Sequence, residues 1–309
     1  MPNFIVRNGQ MLEGVDQMPL VQFLQARGLL HRQRLCVACN NPMVLHRDNQ
    51  FFDNVSWQCG RPCRKNNNIR AGTFFENWKN VKLGVLIRII FKWTLGPTAK
   101  MVAIELSLDR RLVERMFSLL RDCCTHKLQR NPITIGTANF VVQIDESMFH
   151  HKQRAHVGRV ARDQVWVFGM VDTSFIPSKG YCQIVQNRTR ATLTGVMNRV
   201  LNANSTVHSD MWRAYNNLPH YVPAVVHHDT VNHRYNFVNP ATGAHTQNVE
   251  SYWNRIKTWL KPKKGVRRDQ LQSYLNEFIW KDHFGRTDPA NPDRAFDEIL
   301  VLISVDYPV

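Results

Sequence analysis

Three acidic residues in the second half of the chain have the types and spacing to hold divalent metal. Asp145 ends the apolar run Phe140-Val141-Val142-Gln143-Ile144 and is followed by Glu146. Asp210 ends a second run, Ser205-Thr206-Val207-His208-Ser209, 65 residues later. Glu250 comes 40 residues after that, in what reads as the first turn of a helix. Apolar β-branched residues seek burial, and a carboxylate at the end of such a run does not. The conflict is resolved when strand tips open onto a cleft. Three carboxylates gathered there repel each other at low dielectric. Hard oxygen ligands select Mg²⁺ or Mn²⁺, and two such ions about 3.5–4 Å apart clamp a phosphodiester for in-line attack. Each acid taken alone reads as a solvated surface charge. Alternation places Gln143 and Asp145 on one face of the first run and Ile144 and Glu146 on the other.

The elements that would carry these acids follow from the periodicity. Phe140 to Asp145, Gln164 to Val171 and Tyr181 to Gln186 read as strands of an antiparallel meander, with a basic loop from His150 to Arg162 between the first two. Thr189 starts a helix that turns Leu193, Val196, Met197 and Val200 inward. Ser205 to Ser209 is a fourth strand, Trp212 begins a short helix, and Ala224 to His228 is a fifth strand. Gln247 to about Leu260 is the helix bearing Glu250, and Phe296 to Ile303 is a terminal helix. The order βββαβαβα predicts an α/β domain.

The formal net charge is +16 over 309 residues. Residues 1–135 carry 20 Lys and Arg against 9 Asp and Glu, and residues 136–309 carry 20 against 15. A polyanionic partner is implied, gripped mainly by the front of the chain. No apolar run approaches the ~20 residues of a membrane span. The first residues lack the zones of a secretory signal, so a soluble intracellular protein is expected.

Four of the seven cysteines fall in two close pairs, Cys36/Cys39 and Cys59/Cys63. In a chain without a secretory signal such pairs point to a structural Zn²⁺ held by two turns. The three-residue gap in the second pair departs slightly from the common pattern. Strands at Met43–Leu45 and from Phe51 to Trp57 would complete a ribbon, and Arg61, Arg64, Lys65 and Arg70 surround the second pair. Asn66–Asn68 marks a loop. Met18 to Leu30 reads as an amphipathic helix. Val81 to Trp93 and Thr98 to Leu106 read as helices, and a third, with Asp109 as its cap, runs from Arg110 to about Thr125. It would bury Val113, Phe117 and Leu120 and turn Arg110, Arg111, Arg115 and Arg121 outward. The three fit a helix-turn-helix and, equally, an ordinary helical hairpin. The expected divisions are 1–75, N-terminal helix and zinc ribbon; 76–130, helix-turn-helix; 138–285, catalytic domain; and 286–309, C-terminal helix and tail.

The stretches Ile144-Asp145-Glu146-Ser147, Val165-Trp166-Val167-Phe168-Gly169, His208 to Tyr215, Val231-Asn232-His233, Phe237 to Thr246, Asn248 to Trp253 and Ser273 to Trp280 resemble the Merlin-type DDE transposases and their bacterial insertion-sequence relatives. The resemblance covers about residues 138–284. It implies an RNase H-like fold with a mixed five-stranded sheet, in which Asp145, Asp210 and Glu250 hold two Mg²⁺ (or Mn²⁺) ions. Glu146 follows the first acid without belonging to the trio. The implied reaction is cleavage of transposon ends and transfer of their 3′-hydroxyl strands to target DNA. Double-stranded DNA, as terminal inverted repeats and as target, would be the partner, and the chain would work at least as a dimer. Arg110, Arg111 and Arg115 would contact DNA from the third helix, and Lys257, Lys261, Lys263 and Lys264 from beyond Glu250. His233 and His245 flank the loop before Glu250. They read as phosphate contacts or proton carriers, and more plainly as loop hydrogen-bonders. A nuclear location is expected, or the cytoplasm in a bacterial host. The rival readings are an RNase H-like nuclease that cuts without joining and a domesticated DNA-binding regulator.

Overall fold

The computed structural model describes residues 4–149, 164–286 and 290–309. The anticipated basic loop from His150 to Arg162 therefore lies outside the described residues. Two compact units are present, Met1–His126 with Phe284–Val309, and Lys127–His283. Among the described residues no helix is long and apolar enough to cross a membrane.

The first unit opens with α1 (Phe4–Arg7), α2 (Gly9–Glu13) and α3 (Met18–Ala26). An antiparallel sheet follows, in the order β1 (Arg34–Leu35), β2 (Pro42–Arg47), β3 (Val55–Cys59) and β4 (Asn66–Asn68). Two sequence expectations fail here. Phe51 and Phe52 lie in the turn before β3, and Asn66–Asn68 is an edge strand paired with Ser56–Gln58. Asparagine favours loops, but pairing to a buried neighbouring strand outweighs that preference. Arg70 also departs from its expected place on a basic surface. It is 2% exposed, donating to Asp53 Oδ2 and to the Trp78 carbonyl, each at 2.6 Å. A buried guanidinium needs such partners.

Three helices succeed the sheet, α4 (Leu83–Leu95), α5 (Ala99–Glu105) and α6 (Arg110–Arg130). Gly96 closes α4 in the left-handed conformation, φ 91°. Thr98 Oγ1 caps α5, accepting from the Met101 N–H at 3.3 Å. Asp109 Oδ1 caps α6, accepting from the N–H groups of Arg111 and Leu112 at 2.7 and 3.3 Å. The last helix runs five residues beyond the expected end at Thr125, because nothing breaks it before Pro132. Arg121 is buried rather than outward-facing. It stands four residues after Phe117 and so falls on the apolar stripe.

The second unit is built on a five-stranded sheet in the order β7-β6-β5-β8-β9. The strands β5 (Val141–Phe149), β6 (Val165–Asp172) and β7 (Lys179–Val185) form the antiparallel meander. After α7 (Arg190–Val200), β8 (Ser205–Asp210) pairs parallel with β5. The helix expected from Trp212 is only a 3₁₀ turn at Arg213–Tyr215, followed by α8 (Leu218–Tyr221). Asn217, at φ 58°, and Pro219 interrupt it. β9 (Val225–Val231) pairs parallel with β8. Two helices follow, α9 (Gln247–Leu260) and α10 (Leu271–Phe284). A three-stranded antiparallel meander, continued beyond β5 by two parallel strands, makes this an RNase H-like sheet.

Two glycines bring α9 down onto that sheet. A Cβ on Gly169 would lie 2.5 Å from the Trp253 ring, and one on Gly180 would lie 2.6 Å from Tyr252. The chain ends in α11 (Arg294–Asp306), which belongs to the first unit. Its Phe296 ring sits 4.5 Å from that of Phe4 and 5.4 Å from that of Phe91.

Candidate active site

Asp145 is not at the tip of its strand, as the sequence suggested. β5 continues to Phe149, with Asp145 paired across to Gly169 of β6. The opening arises on the other edge. β8 pairs with β5 only as far as Gln143↔His208, so beyond that point the two strands part. Asp210 is the last residue of β8, and Glu250 stands in the first turn of α9. Val142 and Ile144 of β5 are buried, while Asp145 keeps partial exposure.

Trp253 Nε1 donates to Asp145 Oδ2 at 2.9 Å. Burial lifts the Asp145 pKa to about 6 against the Trp253 hydrogen bond and the Glu146 backbone N–H, with Asp210 and Glu250 adding repulsion. Asp210 Oδ1 accepts from the Trp212 N–H at 2.9 Å. Glu250 is more open, its side chain 55% exposed. Its Oε1 accepts from Thr246 Oγ1 at 3.1 Å, with His233 Nε2 3.9 Å away. Thr246 Oγ1 is in turn 2.8 Å from His233 Nε2. Asp210 and Glu250 both act on the charge of Asp145. The three carboxylates nevertheless stand wider than a closed metal cage. Among the described residues, only the four cysteines form a group of three or more candidate ligands, their atoms all within 4.8 Å of one another.

Glu146 points to the opposite side of β5. Burial lifts its pKa to about 7, opposed by the nearby Tyr215 hydroxyl and Arg188, while Asp145 and Asp210 push it further up. Among the described residues neither Glu146 Oε1 nor Tyr215 Oη has a hydrogen-bond partner of ordinary geometry.

Gln143 is a site residue that sequence reasoning placed on the right face but gave no role. It is 1% exposed. Its Oε1 accepts from the backbone N–H groups of Asn248 and Val249 at 2.8 and 3.2 Å, and its Nε2 is 3.2 Å from His245 Nδ1. One buried amide thus fastens the start of α9, and with it Glu250, to the strand of Asp145. A polar residue inside an apolar strand, two positions before the acid, was the available signal. His245 joins this support through Gln143, and His233 joins it through Thr246. His228 Nε2 is 2.9 Å from Ser209 Oγ.

The second cluster lies in the first unit. Cys36 Sγ and Cys63 Sγ are 3.7 Å apart, and Cys39 Sγ and Cys59 Sγ are 3.4 Å apart. Tetrahedral zinc with Zn–S bonds of about 2.3 Å requires sulfur–sulfur edges of about 3.8 Å. The N–H groups of Ala38 and Cys39 bring the Cys36 thiol down to about 7. Cys59 is driven up to about 12, chiefly by its hydrogen bond with Cys39. The first thiolate forms readily and further ones are resisted, a conflict that a bound dication relieves.

The expected DNA contacts have varied surroundings. Arg110 is engaged by Glu114 at 2.7 Å, and the Arg115 guanidinium lies 5.1 Å from the Trp78 ring centroid. Arg111 is exposed. Lys263 is turned onto Trp259, its Nζ donating to the Trp259 carbonyl at 3.2 Å. Lys257, Lys261 and Lys264 are exposed. Lys257 and Lys261 rim an apolar pocket floored by Met148, Phe149, Val165, Leu260 and Leu271.

Residues 138–282 match the family model of the ISXO2-like transposase domain. A curated relative, an uncharacterized transposase-like protein of Haemophilus influenzae, is 25% identical over 103 residues, covering 33% of this chain and 80% of that protein. Two solved assemblies align weakly. One is the intasome of simian T-cell lymphotropic virus in complex with the PP2A regulatory subunit B56 gamma, with 14% identity, TM-score 0.34 and coverage of 66% of this chain and 70% of that one. The other is a pre-cleavage Mos1 transpososome, with 10% identity, TM-score 0.23 and coverage of 72% and 78%.

Proposed function

From the premise that residues 138–282 are a transposase domain of the ISXO2-like, DDE type, we propose that this chain is a DNA transposase. It cuts the ends of a DNA element and joins their 3′-hydroxyl strands to target DNA. The observation that carries the site assignment is geometric: Asp145 lies where β8 parts from β5, Asp210 ends β8, and Gln143 ties the start of the helix bearing Glu250 to β5. The donor set is all carboxylate oxygen, which fits Mg²⁺ or Mn²⁺ rather than a softer ion. Bound there, two such ions would activate the attacking water or 3′-hydroxyl and neutralise charge on the leaving oxygen.

The rest is the work of the chain itself. Trp253 orients Asp145, the Trp212 N–H orients Asp210, and Gln143 fixes the helix that bears Glu250. Glu250, exposed, hydrogen-bonded to Thr246 and 3.9 Å from His233 Nε2, is the acid that swings inward as charge is neutralised. In the first unit, Cys36, Cys39, Cys59 and Cys63 hold a structural Zn²⁺. The helices α4 to α6 act as a helix-turn-helix, with Arg111 exposed at the start of its last helix. Double-stranded DNA is the substrate, and paired ends call for at least two chains.

The test is a cleavage and strand-transfer assay on DNA carrying the element's own ends. Asp145→Asn, Asp210→Asn and Glu250→Gln should each abolish metal-dependent cleavage while sparing DNA binding. Full activity in any one would overturn the assignment, and cutting without joining would reduce the protein to a nuclease.

A further inference from the structure

One end of the sheet in the second unit gathers more than acids. β5, β7 and β8 finish there and β6 begins there. Three side chains from separate elements meet at that end: Trp166 at the start of β6, Arg188 just after β7, and Trp212 just after β8. The Arg188 guanidinium lies 3.8 Å from the Trp166 ring centroid and 4.7 Å from that of Trp212. The shelf is tied to the acids directly, because the N–H of Trp212 is the group that Asp210 holds. Trp212 Nε1 closes it from the other side, donating to the Arg188 carbonyl at 3.4 Å. Arg213 extends the same surface, its guanidinium 5.8 Å from the Trp212 ring. Arg188, Arg213 and Trp212 line a cavity of about 350 Å³ together with Arg190 and Asn216.

The arginines here differ in what they are tied to. Arg190 is consumed by the fold, bonded to Tyr221 Oη at 2.9 Å and to the carbonyls of Ala214 and Arg213. No described carboxylate lies in ion-pair range of Arg188 or Arg213, and neither guanidinium donates a hydrogen bond to a described residue. A guanidinium held over indole faces leaves N–H groups to offer outward, which suits bidentate contact with a phosphate. Such a cation is also needed at this place. The neighbouring acids repel a polyanion, and a cation beside them offsets that repulsion.

We propose that Arg188 and Arg213, shelved on Trp166 and Trp212, form a phosphate clamp that holds the DNA backbone where it enters the acidic cleft. The inference rests on the reading of the chain as an enzyme that acts on DNA. Phosphate contacts fix register without reading sequence, so the clamp sets where the strand lies against Asp145 and Asp210 rather than which sequence is chosen. Arg188 and Arg213 are positioning residues.

The test uses the full chain with its zinc and a short DNA duplex of arbitrary sequence, without added magnesium, over a range of salt. Each phosphate contact adds about one to the slope of log affinity against log salt. Arg188→Gln and Arg213→Gln should each flatten that slope by about one and weaken binding about tenfold at low salt. Arg188→Lys should fall between wild type and Arg188→Gln, since it keeps the charge and loses the flat fork. Arg199→Gln, on the neighbouring helix, should leave the slope unchanged. Arg213 is exposed, so its variant should fold even if Arg188→Gln lowers the melting temperature. Wild-type slopes in both glutamine variants would overturn the clamp. Absence of metal-dependent cleavage in the wild type would instead overturn the reading of the enzyme, because the slopes are measured without magnesium.

Discussion

Gly169 faces Asp145 across the β5–β6 pair, and the space left by its missing side chain is filled by Trp253, whose indole holds the Asp145 carboxylate at 2.9 Å. The glycine is thus part of the site without touching any reactant. A Cβ there would lie 2.5 Å from a ring that α9 packing keeps in place. Gly169→Ala should therefore destabilise the catalytic unit by about 1–3 kcal/mol, read as a lower urea midpoint. It should depress cleavage more than DNA binding, since the displaced ring is the one that orients Asp145. Trp253→Phe separates the two effects. It keeps most of the packing and removes the N–H, so cleavage should fall with a smaller loss of stability.

Asp145 also makes stability depend on pH, with a definite sign. Its pKa in the fold is about 6, against the ordinary 3.8. The folded state therefore binds the proton more tightly than the unfolded chain does. Below pH ~4 the group costs nothing, and the penalty grows as pH rises and is complete above the folded pKa, to at most about 3 kcal/mol. Asp145→Asn should accordingly raise the melting temperature of metal-free protein at pH 8 and leave it nearly unchanged at pH 4. Added Mg²⁺ should stabilise the wild type and not this variant. A variant that melts at or below the wild-type temperature at pH 8 would contradict the buried, repelled carboxylate.

Features set by local chemistry were legible in the sequence. Gln247 to about Leu260 reads as a helix in the sequence and forms α9, Gln247–Leu260. Asp109 was read as a cap and accepts two N–H groups as a cap does. Features set by distant partners were not legible. Asn66–Asn68 becomes a strand only because β3 lies alongside, and Arg70 is interior only because Asp53 meets it. At the acids, the residues and their elements are legible, but Asp145 reads as a strand tip and is not one. The cleft comes from β8 parting from β5, and no property of the β5 sequence encodes where a neighbour departs. Gln143 and Arg188 are illegible for the same reason: the partners of Gln143 lie 102 to 106 residues away, and those of Arg188 are on β6 and just beyond β8.

The four thiols should behave as one unit. Purified protein should carry one zinc per chain, measured by elemental analysis. Cys36→Ser or Cys59→Ser should lose it, together with the fold of the β1–β4 sheet, because metal affinity is folding free energy in so small a module. The RNase H-like unit has its own sheet and core, and its melting transition should survive in either variant. Stoichiometric zinc retained by Cys59→Ser would exclude that cysteine from the ligand set.

Gln143 gives the sharpest test of how Glu250 is held. Its amide joins three partners, the N–H groups of Asn248 and Val249 and the ring of His245, all on the segment that leads into Glu250. Gln143→Leu keeps the volume approximately and leaves two helix-start N–H groups buried without an acceptor. Each such orphan costs about 1–3 kcal/mol. The variant should lose several kcal/mol of stability in denaturant titration. Gln143→Glu is the discriminating partner, since it keeps an acceptor for both N–H groups but adds charge beside Asp145. It should retain more stability than the leucine variant while its cleavage remains low, as a further carboxylate disturbs the arrangement of the acids. Equal stability of the two variants would mean that the start of α9 is held by packing alone and that the amide is incidental.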